Sequence, residues 1–459
     1  MMISISSLTK RVISVTTAFH VVSYKTSSLL ALTTMRPSLS AFLLGNIHHQ
    51  PYLRTHRCDP CRSLTVLTAI GDAEMSSNSK HSTEIAEKTM HDERKLMQDM
   101  LYRIRDCNHI PDDLRSRILD FRVDGLVLGK VDPKVAEILC STSVATTPGG
   151  ASLPIFEMVT PPPPSPSSSL SPESKAYLTL SEEASGRNLE SRTQAVATVM
   201  EELKEKGIVT GWRDELYPVS DSFYNPPIFL MERAATDLLG VLSYGVHING
   251  IQLAEKQPSS GGDDDDDQDS VENNHLPLLM WMARRSKTKS KYPNMLDHIV
   301  AGGQPVGLSL MENVIKECEE EARIPPEIVR PGIDIRPVGV VSYEEAKRCV
   351  FDGVASSGND DDIDSSEAAF HTISRVVLFN YDLYLPKDFV PQPVDGEVEE
   401  FFLWTVDQIK ESMAPNFCDP IKPNCYLVII DYLLRMGSVS PETKGYLDVL
   451  QELRSGDCR

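Results

Sequence analysis

Residues 302–324 constrain this chain more than any other stretch. Gly302-Gly303-Gln-Pro-Val-Gly307-Leu-Ser309 leads into Leu310-Met-Glu312-Asn-Val-Ile-Lys316-Glu317-Cys318-Glu319-Glu320-Glu321-Ala322-Arg323-Ile324. Ser309 and Glu312 stand at capping-box spacing, which fixes a helix start. Met311, Val314, Ile315, Cys318 and Ala322 recur at helical spacing and give a buried stripe. Pro325-Pro326 stops the helix over Ser309–Arg323. A glycine-rich strand-to-helix loop ahead of it lets backbone approach a phosphate closely.

On that helix Glu317, Glu320 and Glu321 fall at i, i+3 and i+4, one acidic cluster beside the apolar stripe. Like charges at this spacing destabilise an isolated helix by roughly 0.2–0.5 kcal/mol per pair. Two readings fit: a solvated acidic face, or a site for a hard divalent cation, which takes oxygen ligands and substrate phosphates.

The 459 residues carry 45 Lys+Arg against 66 Asp+Glu, a formal net charge of −21. That balance argues against a surface that coats a nucleic acid polymer or an anionic membrane. It is compatible with a small anionic substrate held through metal ions. Residues 1–58 hold six basic residues and no Asp or Glu, with frequent Ser and Thr. Residues 1–70 therefore read as an organellar transit peptide or a disordered leader, and composition does not separate plastid from mitochondrion. No apolar run is long enough to span a bilayer. Nine scattered cysteines do not form a disulfide scaffold, and Cys58-Asp-Pro-Cys61 lacks the second pair a zinc site needs.

Three low-complexity stretches punctuate the rest. Residues 146–175 contain Pro161–Pro164 and a Ser/Pro tail, and read as a disordered insert. Residues 257–274 and 355–367 are Asp-rich and lack the alternating spacing of a Ca²⁺ loop, so they read as solvated insertions. Between them lie two expected domains. The first, over 93–250, is α+β: helices at Asp112–Val123 and Ser191–Lys206, strands at Leu126–Leu128 and Val241–Ile251. The second, over 251–455, alternates strands at Leu278–Ala283, Ile299–Ala301, Ile335–Ser342 and Val376–Leu385 with helices at Ser309–Arg323 and Cys425–Arg435, a mixed α/β domain.

The acidic helix resembles the Nudix box, G-x5-E-x7-R-E-U-x-E-E-x-G-U with U aliphatic. Lys316-Glu317-Cys318-Glu319-Glu320-Glu321-Ala322-Arg323-Ile324 falls on its second half and keeps the three metal-binding glutamates. Lys316 replaces the Arg, Cys318 an aliphatic residue, Arg323 the Gly and Leu308 the first Glu. Further segments follow in one order: Gly211-Trp-Arg-Asp-Glu-Leu-Tyr-Pro218, Glu232-Arg-Ala-Ala235, Tyr244-Gly-Val-His-Ile-Asn-Gly250, Asp297-His-Ile-Val-Ala-Gly-Gly303, Asp395-Gly-Glu-Val-Glu-Glu-Phe401 and Ile421-Lys-Pro-Asn-Cys425. Together they resemble the Nudix hydrolases related to the N-terminal half of fungal thiamine pyrophosphokinase, including plant plastid members, a resemblance that implies a plastid rather than a mitochondrion.

That resemblance implies a Nudix α/β/α sandwich preceded by a smaller α+β domain. It also implies a pyrophosphohydrolase acting on a small-molecule diphosphate with Mg²⁺ or Mn²⁺ held by Glu317, Glu320 and Glu321. Damaged thiamine diphosphates, oxo or oxy, are the implied substrates. A nucleoside diphosphate derivative (an oxidised guanine nucleotide, ADP-ribose or a dinucleotide) is the alternative within the class, and a catalytically silent Nudix-fold binding module the alternative outside it. Lys316 is expected to orient Glu317 or neutralise developing charge, and the Gly302-Gly303 backbone to contact substrate. Related enzymes draw a distal base from a later loop, which puts Glu397, Glu399 and Glu400 forward, with Glu399 preferred.

Trp281, Arg284 and Arg285 follow an expected strand and suit stacking on a ring and contacting a phosphate, although a core Trp with surface Arg residues fits equally. His247 and Asn249 are candidates for a cleft between the domains, or for satisfied structural roles. Cys318 lies in the apolar stripe, which speaks against a catalytic thiol.

Overall fold

The computed structural model describes residues 78–142, 144–146, 152–160, 175–254, 278–350, 369–394 and 396–456. The expected leader, the Cys58/Cys61 pair and both Asp-rich insertions lie outside these residues. All described residues belong to one compact unit.

The N-terminal half opens with α1 (Asn78–Cys107), α2 (Asp112–Arg117), β1 (Leu119–Val123), β2 (Leu126–Val131) and α3 (Pro133–Ser141). The helix expected over Asp112–Val123 thus ends at Arg117. From Leu119 the chain alternates, burying Phe121 and Val123 while it pairs with β2, so period two replaces period 3.6. Two short strands, β3 (Val144–Thr146) and β4 (Ser152–Pro154), precede β5 (Phe156–Val159) and β6 (Tyr177–Leu180). Strands β4 and β5 lie within the stretch expected to be a disordered insert. Ile155 and Phe156 are buried, and β5 pairs antiparallel with β6; apolar burial there outweighs the neighbouring Pro and Ser.

Sheet order in this half is β2-β1-β6-β5. The short α4 (Glu182–Ser185) and the longer α5 (Leu189–Glu205) follow, the latter capped by Asn188, whose side chain accepts from Ser191 N–H. A hairpin of β7 (Leu216–Val219) and β8 (Phe229–Glu232), a 3₁₀ turn at Arg233–Ala235 and α6 (Thr236–Leu239) complete it.

The second half is a seven-stranded mixed sheet. It comprises β9 (Leu242–Leu253), β10 (Leu278–Arg285), β11 (Leu296–His298), β12 (Val300–Gly303), β13 (Ile335–Val350), β14 (Ala369–Tyr384) and β15 (Val398–Thr405). The path runs β11-β10-β9-β14-β13, with β12 on β9 and β15 on β10. Strands β9 and β14 are parallel, Leu242 opposite Arg375, and the other pairs are antiparallel. The helices are α7 (Leu310–Ala322), α8 (Val406–Glu411), α9 (Pro423–Arg435) and α10 (Tyr446–Glu452).

Strand parity sorts two cores onto the two faces. Val246, Ile248, Trp281 and Val300 meet Val314, Cys318 and Ala322 of α7. Ile251, Met280 and Met282 point the other way, into a cluster with α9, α10 and Met97, Met100 and Ile104 of α1. This is an α/β/α sandwich. The division expected at residue 250 falls inside β9, and α1 packs on the sandwich through buried Arg103, which donates to the carbonyls of Met413 at 3.0 Å and Ser412 at 3.2 Å.

Candidate active site

Sequence places the acidic helix as expected. Ser309 and Glu312 form a complete capping box: the Ser309 N–H donates to Glu312 Oε2 at 2.8 Å and the Glu312 N–H to Ser309 Oγ at 3.3 Å. Gly302 and Gly303, the last residues of β12, run antiparallel to Val246 and Gly245 of β9 just ahead of this helix. A β-carbon on Gly302 would overlap the Glu317 carboxylate. Close seating of the helix on the strand is what demands glycine there.

The three glutamates line one cavity of about 630 Å³, together with Lys316, Gly302, Gly303 and Glu397. Glu321 is 8% exposed and its Oε2 accepts from Ala301 N–H at 2.9 Å. Burial, and then the Glu317 charge, push its carboxyl well above the usual carboxylate range. Burial also raises the Glu317 carboxyl, against the opposing pull of Lys316. Lys316 Nζ donates to Glu317 Oε1 at 3.2 Å and to Glu320 Oε2 at 2.6 Å. A carboxylate pushed toward protonation by desolvation and a like neighbour gains from a cation. Hard oxygen donors so arranged fit Mg²⁺ or Mn²⁺.

Among the expected distal bases the structure separates three neighbours. Glu397 lines the cavity and pairs with Lys289. Burial acts to raise its carboxyl, but Lys289, with Arg213 and Arg233 behind it, holds it below the ordinary value. Glu399 turns outward instead, accepting from Lys287 N–H at 3.1 Å, and does not line the cavity. Glu400 sits opposite Arg284 in the β10–β15 ladder. Glu397 precedes β15, whereas Glu399 and Glu400 lie within it, where successive side chains point to opposite faces.

Trp281 and Arg284 are corrected in the same way. The Trp281 ring is buried in the core beneath α7. Arg284 is held by Asp419 through two hydrogen bonds of 2.6 Å and lies over the Phe402 ring. Neither lines the cavity; Arg285 does, beyond an irregularity in the β10–β15 register. His247 also lines it, whereas Asn249 is buried against Asp382 at 2.8 Å. Cys318 is buried, and burial pushes its thiol up.

Behind the cavity floor His247, Asp297, His298 and Cys425 converge, their potential ligand atoms within 4.8 Å of one another. The two His Nδ1 atoms share a hydrogen bond of 3.1 Å, and Cys425 Sγ donates to Asp297 Oδ1 at 2.7 Å. Arg285 at 2.7 Å and Lys422 at 3.4 Å already neutralise Asp297. Burial would raise the Asp297 carboxyl, but Lys422, Arg285 and His247 hold it far down, and burial lowers His298 to about 4. His298 Nε2 is left buried without a hydrogen-bond partner, while the Arg285 and Lys422 charges on Asp297 oppose a metal ion.

The opposite wall comes from the N-terminal half. The Arg213–Tyr217 segment is tied to the 3₁₀ turn: Glu232 Oε1 accepts from Arg213 N–H at 2.9 Å and Ala234 N–H at 3.1 Å, and Arg233 N–H donates to Glu215 O at 2.9 Å. Trp212 anchors this loop, donating to Asp214 Oδ1 at 2.8 Å beneath the Lys204 ammonium. Sequence flagged these residues without a role. They acquire one only through tertiary packing.

The pattern of a domain of unknown function (DUF4743) matches residues 170–243. The chain is 43% identical over 269 residues to Nudix hydrolase 20, chloroplastic, of Arabidopsis thaliana, covering 59% of each protein. It is 41% identical over 269 residues to Nudix hydrolase 24, chloroplastic, of the same plant, covering 59% of this chain and 61% of that one. It thus spans about three fifths of the length of these relatives. A solved structure of a MutT/nudix family protein from Enterococcus faecalis matches at 13% identity and a TM-score of 0.27, over 45% of this chain and 67% of that one. The acidic helix, the glycine-seated strand and the sandwich thus accompany 41–43% identity to two chloroplastic plant Nudix hydrolases.

Proposed function

We propose that the chain is a metal-dependent diphosphatase that cleaves the diphosphate linkage of a small organic diphosphate, with an oxidised thiamine diphosphate as preferred substrate and monophosphate and phosphate as products. One observation carries this reading: α7 presents Glu317, Glu320 and Glu321 to a cavity whose facing wall carries Arg213 and Arg233.

Glu317, Glu320 and Glu321 would hold the Mg²⁺ or Mn²⁺. When bound, that ion neutralises the diphosphate and supplies a nucleophilic water at neutral pH. The chain does the rest by positioning, which is most of what phosphoryl transfer asks of a protein. Lys316 orients Glu317 and Glu320 through its two hydrogen bonds. The Ala301 N–H aims Glu321. Glu397, kept ionised by Lys289, accepts the proton of the attacking water, the role sequence reading gave to Glu399.

The thiamine reading is supported by the resemblance to half of fungal thiamine pyrophosphokinase. It is also supported by Tyr292, Tyr343 and Glu345 in the same cavity, aromatic faces with a carboxylate that suit a nitrogen heterocycle. A plastid location is supported by the acid-free leader and the chloroplastic names of the two plant relatives.

The test is phosphate release by purified protein with Mg²⁺ over a panel of oxo- and oxythiamine diphosphate, thiamine diphosphate, an oxidised guanosine diphosphate and ADP-ribose. Oxidised thiamine diphosphates should give the highest kcat/KM. Strong preference for ADP-ribose defeats the thiamine assignment, and no turnover of any member favours the silent binding module.

A further inference from the structure

We infer that the segment of unknown function, residues 170–243, is the phosphate-binding half of this catalytic site, with Arg233 and Arg213 gripping the diphosphate that the α7 glutamates approach through metal. This rests on the reading that those glutamates hold the metal and that the cavity takes a diphosphate.

Three observations carry the inference. The first is contact. A β-carbon on Gly303 would overlap the Tyr217 hydroxyl and lie 3.2 Å from Arg233 Cζ, while a β-carbon on Gly302 would overlap the Glu317 carboxylate. Successive glycines of one strand, whose β-carbons would project to opposite faces, therefore seat the basic wall and the acidic helix, and both line the same cavity.

The second is rigidity. Arg233 Nη1 bonds Glu215 Oε2 at 2.8 Å, its guanidinium lies 5.3 Å from the Tyr217 ring centroid, and its backbone is pinned to the Arg213–Tyr217 loop. A guanidinium held in this way loses little further freedom on binding.

The third is spare donor capacity. Among the described residues Arg233 Nε and Nη2 make no hydrogen bond, and Arg213 uses only Nη2, toward Ser290 Oγ at 3.1 Å. A planar fork of free N–H groups matches the paired oxygens of a phosphate. Basic groups and a carboxylate cluster lining one cavity suit one ligand chemistry above others, an anion carrying its own cations. A metal-bound diphosphate is that ligand.

The segment also supplies Glu215, whose pairing with Arg233 fixes the guanidinium while leaving its other edge to the cavity. The function assigned to the unknown segment is therefore substrate grip, and without it the sandwich holds metal ligands but half a site.

The test uses the full chain with imidodiphosphate, a non-hydrolysable diphosphate, titrated calorimetrically in Mg²⁺, and separately Mn²⁺ alone followed by electron paramagnetic resonance. Arg233→Gln should weaken imidodiphosphate binding by at least about tenfold, as expected of a lost charge-assisted pair. Its Mn²⁺ affinity should stay within about twofold of wild type. Arg233→Lys should recover only part of the loss, since an ammonium lacks the fork. Arg213→Gln, at an exposed position, should weaken imidodiphosphate severalfold and serves as the test if Arg233 variants fail to fold.

Imidodiphosphate affinity unchanged in a folded Arg233→Gln protein, or in Arg213→Gln where the former unfolds, overturns the inference. So does an equal fall in Mn²⁺ affinity, which would mark a structural role. The two readings fail separately. Arginine-dependent binding with no turnover of the substrate panel defeats the diphosphatase and keeps the grip. Turnover with arginine-independent binding does the reverse.

Discussion

The Tyr217 hydroxyl lies over Gly303 so closely that no side chain fits between them. One residue comes from the hairpin of the unknown segment and the other from the strand that feeds the acidic helix, so substituting the glycine should disturb chemistry more than fold. Gly303→Ala must push Tyr217 and Arg233 away from the site. A displacement near 1 Å in a positioning group costs on the order of 100-fold in rate. We expect kcat/KM to fall at least about tenfold, with a stability loss of about 1–3 kcal/mol from overpacking. Steady-state kinetics and thermal melting check both, and wild-type kinetics in a folded Gly303→Ala protein would show the contact to be idle.

Glu317 and Glu321 have raised carboxyl pKa values in the folded protein, burial being the larger cause for each. The native state therefore holds protons that the unfolded state has released, from the ordinary carboxylate value of about 4.3 up to the raised values. The contribution of these two glutamates to the stability of the metal-free protein should fall as pH rises through that window, because stability rises with pH only where the unfolded state binds more protons. The buried His247 and His298, whose imidazoles burial lowers, contribute the opposite slope below about pH 6.5, so the difference between wild type and Glu321→Gln isolates the carboxyl effect. Mg²⁺ should flatten the profile. Glu321→Gln keeps an oxygen for the Ala301 N–H and should raise the melting temperature of the metal-free protein at pH 7. Melting curves from pH 4.5 to 8, with EDTA and with Mg²⁺, check this; a pH-independent difference between wild type and Glu321→Gln would contradict it.

Arg323 ends α7 at φ +52°, in the left-handed region, where the Nudix box carries glycine. A residue with a β-carbon costs roughly 1–2 kcal/mol there, and the Arg323 bond to Gln392 at 2.8 Å is exposed. Arg323→Gly should stabilise the protein by about 1 kcal/mol, less whatever glycine returns to the unfolded chain, and leave turnover unchanged. Urea unfolding midpoints decide it.

Arg284 and Arg285 separate structure from site. Arg284→Gln breaks a half-buried forked pair with Asp419 and should cost about 1–3 kcal/mol while leaving KM within about twofold. Arg285→Gln removes a cation from the cavity lining and from Asp297, and should change KM as well as stability. A rise in KM for Arg284→Gln equal to that for Arg285→Gln would restore the expectation that the structure set aside.

What was legible in the chain follows from how far each signal reaches. The capping box, the apolar stripe and the spacing of Glu317, Glu320 and Glu321 are local, and a helix turns spacing directly into shared position. Glu397 precedes its strand altogether, and choosing between Glu399 and Glu400, or between Arg284 and Arg285, needs the absolute face of a strand. That is set by core packing and by an irregularity of register near Arg285, neither of which periodicity reports. The helix expected over Asp112–Val123 failed at Ile118 because helical and strand readings of a short apolar run share the same residues. The basic wall was the least legible part. Arg213 and Arg233 are distant from α7 in sequence and gain meaning only when Gly303 brings them against it.

Mn²⁺ titration of the full chain, followed by electron paramagnetic resonance, distinguishes the acidic helix from the buried His247/Asp297/His298/Cys425 group as the seat of the metal. Glu320→Gln and Glu321→Gln should each weaken Mn²⁺ by at least about tenfold, the loss that removing a group behind a metal ligand already causes, and lower diphosphate turnover by at least about tenfold, while Cys425→Ser binds as wild type. Undiminished Mn²⁺ affinity in both folded glutamine variants, with loss of binding in Cys425→Ser, would move the metal off α7 and contradict the mechanism built on it.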